Sequence, residues 1–541
     1  MRQSRPMDTS NRVFPDAATT GRLGLKLLDG SERWYAHLIF ILALIWLAIA
    51  VPASALHSVW HASTGAVVTL GVLAIWRYSW AALNYVRSLI YRRLAFAPLR
   101  KRADAAALAS QISGHPPQAF LLVTSFRQDG DTAARVYRAA FRAALNAPGP
   151  ATIVASLVDI ADQRLVTSLY RLMCGSTSKV ELVVVRIAGT GKRDALAQGF
   201  RAISQREPQD NDLVAVIDGD SIVPVDLVAK CSGFFLVDLR VGALTTDENS
   251  EVRGGALFHI WYSLRFAQRN IFMASNGLSR RVLTLTGRMS MFRASVVCSP
   301  DFIRQIERDS ISHWRLGRID FLTGDDKSSW FWLLKNRYHM LYLPDVMVST
   351  VEDPPGKHFI PAAAQLMTRW FGNMLRTNAR ALALGPHRVG LFTWIAILDQ
   401  RISMWTSLAG LIMVLLVGIF VTPSAFYAYA VWTLFTRYII TLSLLTSRRR
   451  VSVLYPFFIY FNQVFGSVIK VYVFFRPNKQ RWTRQKTTLR GASGALATLR
   501  AFSSNYMTVL SVTAFVASLA VLTGLLPIPA TATLRHLLVW G

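Results

Sequence analysis

Apolar residues along this chain come in two textures. Towards both ends they form long blocks. A helix that crosses a bilayer needs roughly 20 such residues, and Tyr35 to Leu56, Ile402 to Val421 and Ala501 to Leu534 supply them without a charge. Ala62 to Val86 and Ala425 to Leu445 also qualify, each with one arginine, Arg77 and Arg437. Five spans are therefore expected. The first block is too long, and starts too far from the N-terminus, to be a cleaved signal peptide. A further apolar stretch, Val451 to Phe475, has basic residues on both sides; a simple crossing would put Lys479 to Arg490 outside against the charge rule, so an interfacial or re-entrant segment is expected.

Between Pro98 and about His387 the texture changes to short apolar runs of strand length. Ala119 to Val123 leads into Thr124, Ser125, Phe126 and Arg127, Thr152 to Val158 ends at Asp159, Val180 to Val185 ends at Arg186, and Leu213 to Ile217 ends at Asp218. Such runs alternating with helical segments predict an α/β domain built on a doubly wound, mainly parallel sheet, buried on both faces. Ligands then bind at the carboxyl ends of the strands. The expected organisation is a tail over 1–33, two transmembrane helices and a basic linker over 34–97, the α/β domain over 98–360 and interfacial helices over 361–401. Two transmembrane helices over 402–446, an interfacial segment over 447–504 and a final helix and tail over 505–541 complete it.

Charge orients this arrangement. Arg92 to Arg102 follow the second span and Arg448 to Arg450 the fourth, and cytoplasmic flanks are the basic ones. The α/β domain is thus expected in the cytoplasm, and with five spans the C-terminus outside, in the periplasm of a Gram-negative cell. The net charge of +29 does not argue for nucleic acid, because no helix-turn-helix, zinc-finger or ribonucleoprotein pattern accompanies it. Anionic lipid and an acidic substrate account for it more simply. Cys174, Cys231 and Cys298 are too scattered for a zinc site or a disulfide framework.

Candidate chemistry gathers at the strand ends. In VIDGDS, Asp218 and Asp220 are one residue apart where a buried strand stops. Alternate side chains of an extended chain point the same way, so both carboxylates can face one divalent cation, and Gly219 frees the backbone to approach a ligand. Strand-ending turn formers would read the same. In AGTGKRDAL, Gly189 and Gly191 let the backbone approach phosphate and Lys192 or Arg193 could neutralise it; the spacing is not that of a P-loop. In FLTGDDKSSW, Asp325 and Asp326 are adjacent at a helix start. Adjacent acids raise one another's pKa, which suits a general base, and an N-cap beside a helix-favouring acid explains them equally well.

The order D-x-D, then Thr-Gly before an acidic pair, then Arg369-Trp370 on a helix, then spans resembles the processive membrane glycosyltransferases of family 2, the cellulose, chitin and hyaluronan synthases. Longer runs, IAGTGKRD, VIDGDS, RVLTLTGRMSMFRASVV, HWRLGR, FLTGDDKSSW, LDQRISMWTSL and VYVFFRP followed by WTRQ, resemble the catalytic subunits of the bacterial mannuronan synthase family over roughly Trp76 to Met507. The resemblance implies a GT-A-like domain between transmembrane helices in the bacterial inner membrane. It implies an inverting transferase that takes mannuronate from GDP-mannuronate, adds it to a growing β-1,4 polymannuronate, the alginate precursor, and passes the chain across the membrane. Mg²⁺ or Mn²⁺, a PilZ-domain copolymerase subunit that binds cyclic di-GMP, and periplasmic export proteins are implied with it.

Residue roles follow from the same resemblance. Thr124, Phe126, Asp159, Lys192 and Asp218 would contact the donor nucleotide, Asp220 the metal and diphosphate, and Arg369 the diphosphate. Asp326 would be the general base, positioned by Asp325. Trp370 would stack on the acceptor sugar, and Trp482, Thr483 and Arg484 would form a gating loop. One departure stands out: cellulose and hyaluronan synthases place glutamine three residues before Arg-Trp, whereas Gln365 lies four before and Leu366 takes that place. One residue is about 100° of helix rotation, so Gln365 is left out of the expected site. A transferase for a lipid carrier, a neutral-polymer synthase and a transporter are the alternatives; the last explains the spans but not a large cytoplasmic part with an acidic rim. Arg77 and Arg437 within spans are expected to face a polar path or to pair inside the bundle, with Arg437 towards the polymer.

Overall fold

The computed structural model describes residues 26–50, 64–126, 128–175, 177, 179–320, 322–479 and 494–527. Two apolar helices come first, α1 (Trp34–Ile49) and α2 (Thr64–Ile90). The basic stretch after α2 is not a linker. The helix continues through a π-helical turn, Tyr91–Ala95, into Phe96–Ile112. Pro98 gives the reason: proline has no N–H and its ring presses on the carbonyl four residues back, here Leu94, so the turn ahead of it widens.

The α/β unit is one sheet of eight strands, β1 (Ala119–Thr124), β2 (Ala151–Leu157), β3 (Val180–Arg186), β4 (Leu213–Asp218), β5 (Ser221–Ile222), β6 (Val241–Val252), β7 (Met289–Arg293) and β10 (His339–Glu352), in the order β3-β2-β1-β4-β7-β6-β10-β5. A separate two-stranded ribbon pairs β8 (Ile311–His313) with β9 (Gly317–Ile319). The four strands expected from apolar runs are β1 to β4, all mutually parallel where they pair. Phe120 to Val123 are wholly buried, which is why their sequence carries no polar alternation. Strand β7 runs antiparallel between β4 and β6, so the sheet is mixed and mostly parallel.

Register fixes the rim. Thr124 at the end of β1 stands opposite Ser156 of β2 and Asp218 of β4. The helices that matter for it are α3 (Lys192–Ser204), α4 (Ala256–Gly277), α5 (Asp325–Lys335) and the amphipathic α6 (Phe359–Ala383).

After α6 come α7 (Leu391–Phe420), α8 (Ser424–Ser443), α9 (Tyr455–Phe474) and α10 (Ala495–Leu522). Because α7 starts at Leu391, Arg401 lies inside a 30-residue helix rather than at the end of an interfacial one. By length and composition α9 is long enough to cross a membrane, and so are α2, α7, α8 and α10. Besides packing on α7 and α8, α9 makes contacts outside the bundle. Trp261 of α4 donates to Asn462 at 2.7 Å, Arg315 to the Phe475 carbonyl at 2.6 Å and Arg376 to the Pro477 carbonyl at 3.1 Å. Phe458, Phe461, Phe465 and Ile469 of α9 pack on Ala362, Leu366 and Met367 of α6. The middle of α9 is thereby tied to α4, and the chain just past its C-terminal end to Arg315 beside the two-stranded ribbon and to α6. At the other end of the bundle Ala66, Met413, Val417, Ala425 and Leu519 form a separate apolar cluster of α2, α7, α8 and α10.

Candidate active site

The carboxyl ends of β1 and β4, the start of α3, the start of α5 and the middle of α6 enclose a cavity of about 850 Å³. Lys192 is its hinge. As the first residue of α3 it reaches across the rim, with Nζ 2.5 Å from Asp218 and 3.2 Å from Asp325. One cation thereby joins the D-x-D strand to the acidic pair. Burial alone would lower the Lys192 pKa, but Asp218 and Asp325 hold it above its ordinary value. Asp218 is raised to about 6, by burial first and then by Asp220 and Asp325, with Lys192 opposing.

Glycines make the approach possible. Gly191, with φ 147°, lets the chain turn into α3, and a Cβ on Gly287 would come within 3.0 Å of both Lys192 Nζ and Asp218 Oδ2. Gly219 has a second reason besides the expected one: a Cβ there would meet the Thr124 carbonyl at 2.9 Å and Ser125 Cα at 3.0 Å. It packs the strand ends together and also lines the cavity.

Asp325 and Asp326 open α5 behind Gly324, whose φ of 93° is left-handed. Arg193 holds this turn from below, donating to the Leu322 and Ile306 carbonyls and to Ser328 Oγ. Of the two basic residues considered for phosphate, Lys192 therefore faces the cavity and Arg193 is a buried brace. Thr323 donates to Asn373 Oδ1 at 2.7 Å, and Arg376 donates to both, so the turn is fastened to the helix that carries Arg369 and Trp370. The two acids differ. Asp325 is paired with Lys192, whereas Asp326 makes no salt bridge among the described residues, and burial followed by Asp325 raises its pKa. Next to it, burial brings Lys327 down to about 8, against the pull of Asp326, while its Nζ donates to the Leu283 carbonyl.

Thr124, Phe126, Asp220, Arg369 and Trp370 all line the cavity. Asp159 does not: it is exposed, one residue past the lining Val158, at the start of helix Ile160–Cys174. Gln365, left out on rotation grounds, borders the mouth together with Leu366. Trp482, Thr483 and Arg484 lie outside the described residues. Several groups were not foreseen. Arg288 donates to Glu352 at 2.5 Å and to Glu248 at 3.1 Å, and Arg265 of α4 stacks on Trp370, 3.5 Å from its ring centre, with Trp261 alongside at 5.7 Å. Arg288 follows Gly287 in the TLTGRM run, so a signal existed; Arg265 sits in a helix with none.

Among the described residues no three His, Cys, Asp or Glu side chains are grouped to hold an ion by themselves. Mg²⁺ needs no such cage, since it is commonly held by one or two carboxylates together with substrate phosphates. Hard oxygen donors at Asp220, in a cavity also lined by Arg369, fit that description.

Residues 116–373 match the family described as glycosyltransferase like family 2. The chain is 45% identical over 495 residues to the glycosyltransferase alg8 of Pseudomonas syringae pv. tomato, covering 91% of this chain and 99% of that one. It is 41% identical over 484 residues to the glycosyltransferase alg8 of Azotobacter vinelandii, covering 89% and 96%. Among solved structures, the mannosyltransferase PcManGT from Pyrobaculum calidifontis in complex with GDP-Man and Mn²⁺ aligns with a TM-score of 0.40 at 14% identity, over 74% of this chain and 98% of that one, too loosely to bear on this site. With relatives at this identity over nearly their full length, the chain belongs to the alg8 family of family 2 glycosyltransferases, the mannuronan synthase catalytic subunits that its motifs resemble.

Proposed function

We propose that this alginate polymerase takes mannuronate from GDP-mannuronate, builds a β-1,4 polymannuronate and passes it across the inner membrane, with its α/β unit in the cytoplasm. Five crossings, α1, α2, α7, α8 and α10, with α9 along the interface, suit the basic flanks and the bonds that α9 and the residues just after it make to α4, Arg315 and α6. The observation that carries the reading is the Lys192 bridge, which brings the D-x-D carboxylates and the acidic pair to one cavity with Arg369 and Trp370.

The chemistry divides among these groups. Asp218 and Lys192 hold the nucleotide end, with Thr124 and Phe126 beside it and Asp159 on the outer rim. Arg369 takes charge from the departing GDP. A bound Mg²⁺ or Mn²⁺ on Asp220 would relieve further diphosphate charge. Trp370, backed by Arg265, offers a stacking face for the acceptor sugar. Asp326 removes the proton from the acceptor hydroxyl as that oxygen attacks the anomeric carbon, so a single carboxylate suffices for transfer with inversion. A PilZ-domain copolymerase and periplasmic export proteins belong to this proposal as partners.

Detecting the nucleotide released on turnover tests the reading. GDP released only with GDP-mannuronate supports it; UDP released from a neutral sugar donor overturns it. Asp220→Ala should abolish the gain in GDP affinity that Mn²⁺ gives the wild type while the protein still purifies folded; an unchanged Mn²⁺ dependence would remove Asp220 from the metal. The pH profile gives a further check. Burial and Asp325 raise the Asp326 pKa, and a base works only deprotonated, so turnover falls as pH drops through that raised value. The acid limb of kcat should therefore lie above the ordinary carboxylate range of about 4, with GDP binding measured in parallel; a limb at or below that range contradicts the assignment.

A further inference from the structure

Four side-chain contacts join seven polar residues of four helices into a circuit whose remaining links run along the helices, on the bundle side of the site. Arg437 of α8 donates to Tyr78 Oη of α2 at 3.1 Å and to Gln463 Oε1 of α9 at 2.5 Å. Two helical turns along α9, on the same face, Lys470 reaches Ser403 Oγ of α7 at 3.5 Å. One turn back along α7, Asp399 pairs with Arg77 of α2 at 2.5 Å, and Arg77 precedes Tyr78.

The charges do not balance. Three cations share one carboxylate, and Arg77 has that carboxylate at bonding distance. Arg437 has only neutral partners; it is 8% exposed, and its Nε has no hydrogen-bond partner among the described residues. Besides Ser403, Lys470 has the ring of Phe371 at 4.9 Å. A cation in such surroundings is costly unless an anion answers it. Arg77 has its answer in Asp399; among the described residues Arg437 has no carboxylate partner and Lys470 makes no salt bridge, Asp399 acting on it only from beyond bonding distance.

The circuit also has a position. On one side Phe371 follows Trp370 on α6. On the other, Tyr460 packs at 6.3 Å against Tyr429, which lines a cleft of about 250 Å³ between α2, α7 and α8. The cleft is lined by apolar residues, small ones such as Ala66 and Gly71 beside larger ones such as Leu70 and Met413, with Tyr429 and Trp432 as its aromatic faces.

We propose that Arg437 and Lys470 hold carboxylates of an acidic polysaccharide on its way out, between the Trp370 side of the active site and the cleft. The proposal rests on the polymerase reading above. A neutral glucan would leave both cations unanswered. A polyuronate brings one carboxylate per sugar and exchanges water for these two sites as it moves.

The test uses the full-length chain in native membrane vesicles fed with labelled nucleotide sugar. Arg437→Gln with Lys470→Gln should bind GDP as wild type does and start chains, yet release polymer about tenfold shorter, as expected for losing charge-assisted contacts to carboxylate. Arg437→Lys keeps the charge and should keep length within about twofold. If the Gln pair binds no GDP, Tyr78→Phe replaces it, since it unmoors Arg437 without removing a charge and must shorten chains in the same direction. Normal length and rate in the Gln pair, or in Tyr78→Phe where that stands in, overturn the proposal. So does an Arg437→Lys product as short as that of Gln. An anionic lipid as the true ligand would make wild-type output depend on anionic lipid content and the Gln pair indifferent to it, which also overturns it. An uncharged wild-type polymer would instead sink the polymerase reading itself.

Discussion

Asp326→Asn should bind GDP with wild-type affinity and make polymer about 10²–10⁴-fold more slowly, the usual contribution of a positioned general base. The substitution keeps the shape of the side chain and removes its ability to take a proton. Two neighbouring acids would be hard to tell apart by sequence, but the structure gives them different surroundings: the Asp325 carboxylate is paired with Lys192 at 3.2 Å, and Asp326 has no salt bridge among the described residues. Asp325 is thereby committed to holding Lys192, and Asp326 is the carboxylate left to meet the acceptor. Asp325→Asn should accordingly show its effect through Lys192, as weaker GDP binding, and not as a pure loss of turnover. Single-turnover transfer at saturating donor, with GDP affinity measured separately, distinguishes the two. Polymer formation by Asp326→Asn within about tenfold of wild type, only ~1.4 kcal/mol on the barrier, would move the base elsewhere.

Much of this was legible in the chain, and the misses have physical causes. Strands β1 to β4 are buried on both faces and so read as unbroken apolar runs. Strands β6 and β10 bury polar groups, Thr245, Thr246, Asp247 and Glu248 among them, because Arg269, Arg288 and Arg448 pair with the acids; a run of that composition carries no strand signal. The motifs gave residue types but not the closure between them: nothing in AGTGKRDAL says that Lys192 rather than Arg193 faces the cavity, since that depends on where α3 starts after Gly191. Gly219 was legible as a close approach to the cavity, but not as the point where β4 meets the Thr124 carbonyl, which depends on strand register. Flanking charge pointed to an interfacial stretch after Arg450, whereas length and composition alone would let α9 cross a membrane, because the pattern of apolar residues does not record what a helix packs against. The sequence favoured Arg437 over Arg77 as the arginine towards the polymer but could not name the partner of Arg77, because Asp399 is 322 residues away.

Lys192→Met is expected to be the most damaging single change outside the acidic pair. It leaves Asp218 and Asp325 facing each other without their shared cation, in a cavity that also holds Asp220 and Asp326. The three side chains keep 20%, 25% and 9% of their exposure, so the loss falls between that of a surface pair and that of a fully buried one, about 2 kcal/mol. The folded protein should melt at lower temperature for that reason. GDP should bind at least about tenfold more weakly, ~1.4 kcal/mol, because the diphosphate then enters a field of carboxylates with one cation fewer. The two effects can be separated. Adding Asp325→Asn removes one of the stranded charges and should restore part of the melting temperature, a coupling of about 0.5–3 kcal/mol between residues in direct contact. It should not restore turnover, since Asp326 would lose its positioned neighbour and the D-x-D strand its cation. Thermal melting and GDP titration of the two single variants and the double are sufficient. Strictly additive stabilities, or wild-type GDP affinity in Lys192→Met, would show that the bridge neither joins the two acidic motifs nor shapes the donor site.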